Sequence, residues 1–288
     1  MKRRTYIVGA ASIGLSIPIV GESGRERKDG HIRNRNKNEN EMQAIRNGRA
    51  ASTDPEPAYT LLDGTKYETE VYVIDAPESG PTGVVIGGMH GDERSGYHAA
   101  AAVSRWQFDA GRVVVLPQAN QPAIKAKTRH GVGGDLNRKF PPGDEPTTTL
   151  AQAIWNDVVL RSEPDFLLDL HRSKGIYRFH ESFVGQAIYP TDVGDAPSNA
   201  VDTIASLNAD VVPWYMPYHD FKRGNVMHGT SPLLAHKAGG DLQVPAYIVE
   251  TTTFLTDLDT RTRWTKRAAE KLLSLHGINR ATETERNK

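Results

Sequence analysis

From Tyr59 onward, strand-type and helix-type apolar patterns alternate, and this alternation restricts the fold more than any other feature of the chain. "YETEVYVIDA" alternates with period two, and "GVVIGG" is a continuous apolar run bounded by turns, so both predict strands. "SGYHAAAAVSRW" has helical spacing, "RVVVLP" is strand-like, "TLAQAIWNDVVLRS" is an amphipathic helix and "DFLLDLH" is again a strand. "VPAYIVE" predicts a buried strand, and "DLDTRTRWTKRAAEKLLSLHG" a closing helix with Asp257 or Asp259 as N-cap and Gly277 as its stop. Strands separated by helices pair in parallel through crossovers, which predicts one α/β domain over residues 59–276. Its sheet is expected to be mixed but largely parallel, flanked by helices. Residues 277–288 are expected to fray, and the stretch between Tyr177 and Gly240 carries no clear periodicity.

Two further segments precede this domain. Residues 1–21 begin with "MKRR" and continue as an uncharged stretch, the pattern of an export signal; Arg3 and Arg4 before "TYIV" resemble a twin-arginine signal. Gly14 and Pro18 make the stretch a poor membrane span, although an uncleaved N-terminal anchor is the alternative because no clean A-x-A site follows. The expected location is therefore the periplasm or the exterior. Residues 22–58 have no aromatic side chain until Tyr59 and mix both charge signs, so they cannot bury enough apolar surface to offset their ordering entropy. A disordered polar linker is expected there.

The domain's chemistry concentrates where strands end. In an α/β sheet, functional side chains gather in the loops beyond the C-terminal strand ends. "VVIGGMHGDERSG" places His90 and Glu93 in such a loop, and the chain has no cysteine, so any metal must use His, Asp or Glu. An H-x-x-E pair supplies an imidazole nitrogen and a carboxylate oxygen, two ligands suited to zinc; a third would leave one position open for water. The alternative is a polar bend that caps a helix. His171 ends the run "FLLDLH" and is the candidate third ligand, with Asp169 on the same face to orient it; a core histidine bonded to backbone is the alternative. In "TRHGVGGDLNRKFPPG", Arg138 can fork onto a carboxylate, Asn137 can donate beside it and a second arginine can polarise a carbonyl. Surface ion pairing in a solvated loop is the competing reading. Glu250 ends "AYIVE", where a carboxylate is costly to bury without a specific partner; it is either a general base or a glutamate paired with Arg129 or Arg138.

Together, "GGMHGDE", "DLNRKFP", "LLDLH" and the "VE" ending at Glu250 resemble, in that order, the zinc carboxypeptidase superfamily, and within it the succinylglutamate desuccinylase/aspartoacylase-like branch. The resemblance covers roughly Val84 to Thr251. It implies one zinc held by His90, Glu93 and His171, with Asp135 as the partner of His90. It also implies Glu250 as base and later proton donor, and Asn137 and Arg138 as binders of the substrate carboxylate. Arg129 matches the family's carbonyl-polarising arginine at a spacing one residue longer, so His130 and Lys127 compete for that role. Tyr215 and Tyr218 could reach a pocket as a carboxypeptidase tyrosine does, or be plain aromatics. Most deacylases of the branch have a further β-domain over the site, and the residues after Thr251 are expected to be too few for one.

The function expected is amide hydrolysis in a carboxylate-bearing small molecule or short peptide, with an N-acyl amino acid as first choice. A metallocarboxypeptidase acting on peptides or cell-wall peptides is the alternative, and an exported metal- or ligand-binding relic of the fold is the non-enzymatic one. Lysines plus arginines equal aspartates plus glutamates at 35 each, so no global field favours nucleic acid as a partner.

Overall fold

A computed structural model describes residues 55–281. The expected signal and all but the last residues of the expected linker lie outside them. Eight strands form one mixed sheet: β1 (Tyr59–Leu61), β2 (Thr69–Asp75), β3 (Glu78–Gly87), β4 (Ala110–Leu116), β5 (Phe166–Ser173), β6 (Ala187–Pro190), β7 (Lys222–Arg223) and β8 (Ala246–Thr252). Their spatial order is β1-β2-β4-β3-β5-β8-β6-β7. The central strands β4, β3, β5 and β8 are parallel, whereas β1 and β2 on one side and β6 against β8 on the other pair antiparallel. The helices are α1 (Arg94–Val103), α2 (Gln121–Ala126), α3 (Thr149–Ala153, continued by a π-type stretch Ile154–Leu160), α4 (Ala196–Asp210), α5 (Leu234–Lys237, continued by Ala238–Leu242) and α6 (Leu258–Leu275).

The continuous apolar runs of the central strands have a direct cause. Successive side chains point to opposite faces of the sheet, and both faces are covered. Val85, Leu168 and Val249 join α1, α4 and α6 in one core, around the fully buried Trp264. Val84, Ile86, Leu167 and Ile248 join α3 and α5 in the other, around Phe140 and Trp155. Burying each such side chain contributes roughly 1.5–3 kcal/mol, so both helical layers hold the central strands in place.

Asp257 is the N-cap of α6: its carboxylate accepts the Thr260 N–H at 2.6 Å. Gly277, with φ of +86°, ends that helix as expected. The chain does not fray there, however. Ile278 is completely buried, residue 280 bridges Phe108, and the Ala281 N–H donates to the Gln107 carbonyl at 2.8 Å. One apolar residue after the stop is enough to draw the segment back onto the core; the expected frayed end applies only to residues 282–288, which lie outside the described part. The segment without clear periodicity holds β6, β7, α4 and α5. Among the described residues, no helix is long and apolar enough to cross a membrane.

Candidate metal centre and active site

The loop after β3 is shaped by two glycines. Gly88 has φ of +76°, a conformation that L side chains rarely adopt, and a Cβ on Gly91 would lie 2.0 Å from the carbonyl carbon of Ala123. The loop therefore packs against α2 and returns His90 and Glu93 to the C-terminal end of the sheet. Glu93 immediately precedes α1, yet its side chain makes no capping bond to that helix. Its carboxylate turns inward instead, which answers the helix-capping alternative.

His90, Glu93 and His171 are each about 2% exposed, and one ligand atom from each lies within 4.8 Å of the others. His90 Nδ1 is 2.9 Å from Glu93 Oε1, and His171 Nδ1 is 2.7 Å from Glu93 Oε2. The opposite ring nitrogens face other carboxylates: His90 Nε2 lies 2.8 Å from Asp135 and His171 Nε2 lies 2.9 Å from Asp169. Neither histidine is thus a core residue satisfied by backbone. An Nε2–H donating to Asp135 or Asp169 leaves, in a neutral imidazole, a lone pair on Nδ1. Two such lone pairs aimed at a carboxylate repel it unless the rings carry a second proton or a cation lies among the three residues. This donor set fits a divalent metal: two imidazole nitrogens, one carboxylate, and a carboxylate behind each histidine.

The electrostatics of these side chains reflect this arrangement. Burial would depress His171, but Asp169 and Glu93 outweigh it and raise its pKa well above the ordinary value. Burial works against His90 as well, and Asp135 and Glu93 raise it. Glu93, which burial alone would raise, is pulled well below the usual carboxylate range by His171 and His90. Asp135 is lowered too, its hydrogen bond to His90 and the Arg138 and Arg129 charges prevailing over burial.

Glu250 stands beside His171, opposite it in the β5–β8 register. Its Oε2 is buried without a hydrogen-bond partner. Burial first and the Glu93 charge second push its carboxyl up to about 7, against the lowering influence of His171, His90 and Arg129. Neither arginine considered as its partner forms an ion pair with it: Arg129 donates to Glu93 Oε1 at 2.5 Å, and Arg138 to the Asn137 carbonyl at 2.8 Å. A half-buried carboxylate poised near neutrality can take up and return a proton.

The structure brings Arg129, half-exposed, to the metal-ligand group. Of its two competitors, His130 lies 3.5 Å from Asp135 Oδ2, and Lys127 is an exposed residue closing α2. Asn137 is about 2% exposed and already engaged: its amide donates to Asp169 at 3.1 Å, and its oxygen accepts the Leu234 N–H at 3.0 Å. It holds Asp169 behind His171 as well as adjoining Arg138. Tyr215 and Tyr218 stand in solvent. Arg172 had no role legible in the sequence. Its backbone N–H donates to Glu93 Oε2 at 3.1 Å, and its guanidinium grips the carbonyl and carboxylate of Asp92, both at 2.9 Å. It ties the end of β5 to the His90–Glu93 loop, which only the adjacency of β3 and β5 reveals.

Comparison with known proteins identifies the family to which these residues belong. The family model for the succinylglutamate desuccinylase/aspartoacylase catalytic domain matches residues 79–231, a span that includes every residue above except Leu234 and Glu250. An N-alpha-acetyl-L-2,4-diaminobutyric acid deacetylase of Halomonas elongata is 39% identical over 97 residues, 32% of this chain and 28% of that protein. Among solved structures, product-bound cell shape determinant protein Csd4 of Helicobacter pylori is similar with a TM-score of 0.63 at 23% identity, covering 75% of this chain and 57% of that one. A succinylglutamate desuccinylase/aspartoacylase of Rhodobacter sphaeroides gives a TM-score of 0.50 at 24% identity, covering 75% and 61%. In each case the match leaves more than a third of the other protein uncovered.

Proposed function

We propose a function from one premise: the chain belongs to the succinylglutamate desuccinylase/aspartoacylase family. It is a zinc-dependent hydrolase that cleaves the amide bond of a carboxylate-bearing substrate, with N-acyl amino acids as the substrate class. The observation that carries this reading is the convergence of His90, Glu93 and His171 beside the half-buried Glu250, whose inward Oε2 has no hydrogen-bond partner. The deacetylase resemblance in sequence supports the substrate class.

His90, Glu93 and His171 would hold the ion, with Asp135 and Asp169 fixing the two rings. When bound, zinc supplies Lewis acidity, lowering the pKa of a water and polarising a carbonyl. The remaining work belongs to side chains of this chain. Glu250 takes a proton from the attacking water as the C–O bond forms, and returns it to the amide nitrogen as the C–N bond breaks. Arg129, already within the site, offers N–H donors to the carbonyl oxygen as negative charge develops there. Arg138 holds the substrate carboxylate by a charge-assisted contact. The products are a carboxylic acid and a free amine.

The test is a panel of N-acetyl and N-succinyl amino acids against peptides with free C-termini, run on zinc-loaded full chain. Turnover confined to the acyl amino acids is expected. Faster cleavage of peptides would overturn the deacylase reading in favour of a carboxypeptidase. The proposal extends to location: residues 1–21 direct export by the twin-arginine route.

A further inference from the structure

The short segment 229–233 crosses directly over the residues that flank Arg138. Its Pro232 carbonyl accepts the Phe140 N–H at 3.2 Å, and the N–H of Leu234, the first residue of α5, donates to Asn137 Oδ1 at 3.0 Å. Arg138 is thus bracketed by one bond to this strap and one to the start of the helix that follows it. Thr230 is exposed, residues 231–233 are half-buried and Arg138 itself is exposed, so the strap borders the Arg138 segment at the surface.

A strap this short has few internal bonds to shape it. Gly229 enters it with φ of +66°, where a Cβ would lie 2.9 Å from the Gly240 Cα. The next two N–H groups, of Thr230 and Ser231, both converge on a single atom, Nδ1 of His236, at 3.2 and 3.3 Å. His236 is buried in α5 beneath the strap. One ring nitrogen accepting two backbone donors must carry its lone pair, so the ring is neutral with its proton on Nε2. Burial first and the nearby His228 and Arg138 charges, which outweigh the opposing Asp192 charge, hold its pKa below the ordinary histidine value, consistent with that state.

We infer that His236 is a positioning residue for the carboxylate subsite at Arg138: its Nδ1 sets the shape of the strap that borders the subsite, without itself touching substrate. This rests on the proposed role of Arg138. The chemistry required is an acceptor at the Nδ1 position, and that makes the two amide replacements unequal. Asparagine places its oxygen near the position of Nδ1, whereas glutamine places its own nearer Nε2. The strap would keep both bonds in His236→Asn and lose them in His236→Gln.

On zinc-loaded full chain with the best N-acyl amino acid, His236→Gln should raise KM about tenfold with kcat and zinc content unchanged, the loss of a neutral hydrogen bond or two. His236→Asn should stay within about twofold of wild type by the same reasoning. In an Arg138→Ala background, His236→Gln should add little, because both act on one subsite. Equal effects of the two amides, or full additivity with Arg138→Ala, would overturn the inference. Should no N-acyl amino acid be turned over, the functional reading fails separately. The acceptor role is then decided without substrate by the ring 15N shifts of His236 in wild-type protein at neutral pH: an unprotonated Nδ1 supports it, and a protonated Nδ1 refutes it.

Discussion

Replacing Glu250 by glutamine should make the metal-free protein more stable while it removes catalysis. In the folded chain the carboxyl titrates at about 7 rather than its ordinary 4.5, because burial and Glu93 disfavour the charged form. The folded state therefore binds the proton more tightly than the unfolded state does. Below about pH 4.5 the group is neutral in both states and has no effect. As pH rises toward and beyond 7, ionisation favours unfolding, by on the order of 3 kcal/mol once the pH exceeds both values. Glutamine never ionises, so Glu250→Gln should raise Tm in chelator-treated protein at pH 8, and this gain should vanish on acidification toward pH 4.5. Zinc should shrink the gain, since a nearby cation stabilises the wild-type carboxylate. Turnover should fall in kcat by a factor on the order of 10² to 10⁴, at the upper end for a residue serving both proton transfers. The assays are differential scanning calorimetry across pH with and without zinc, and steady-state kinetics of the zinc-loaded variant. A variant that hydrolyses substrate at near wild-type rate with zinc bound, or that is less stable than wild type at pH 8, would refute the account of Glu250.

Elemental analysis should find about one zinc per chain in wild type and a large loss in His171→Ala, as expected for a mononuclear site; unaltered zinc content would remove His171 from the ligand set. Arg138→Ala should raise KM for carboxylate substrates about ten- to a hundredfold with a smaller change in kcat, the range expected for a charge-assisted hydrogen bond, as read from initial rates. His276, stacked on Phe166 at 4.1 Å and bonded to the Tyr247 hydroxyl at 2.9 Å, has a pKa that burial lowers. Its contribution to stability is present above its unfolded value of 6.5 and is lost as pH falls through that value toward the lower folded one. The Tm decrease between about pH 7.5 and about pH 5.5 should therefore be smaller in His276→Phe, and an identical decrease would dismiss this titration. Arg3→Lys with Arg4→Lys should leave precursor inside the cell on fractionation, and unchanged localisation would exclude the twin-arginine route.

The sequence by itself determined the elements whose patterning is local. The central strands read as apolar runs because both their faces are covered, and α6 was legible because Asp257 and Gly277 mark its ends by local backbone chemistry. His90, Glu93, His171 and Glu250 were conspicuous as polar residues at the ends of those runs, where burial demands a reason. Tertiary structure decided what depends on neighbours distant in the chain. The β6 pairing rests on only four residues, too few to give a period. Ile278 is a core residue because of what lies beneath it, in a segment otherwise polar. Arg172 carries no distinguishing local signal, and nothing near Asn137 in the sequence marks it as the residue that holds Asp169. Their roles arise from β5 lying against β3 and from the strap lying over the Arg138 segment, and hydrogen bonds between residues so far apart in sequence exist only once the sheet order is set.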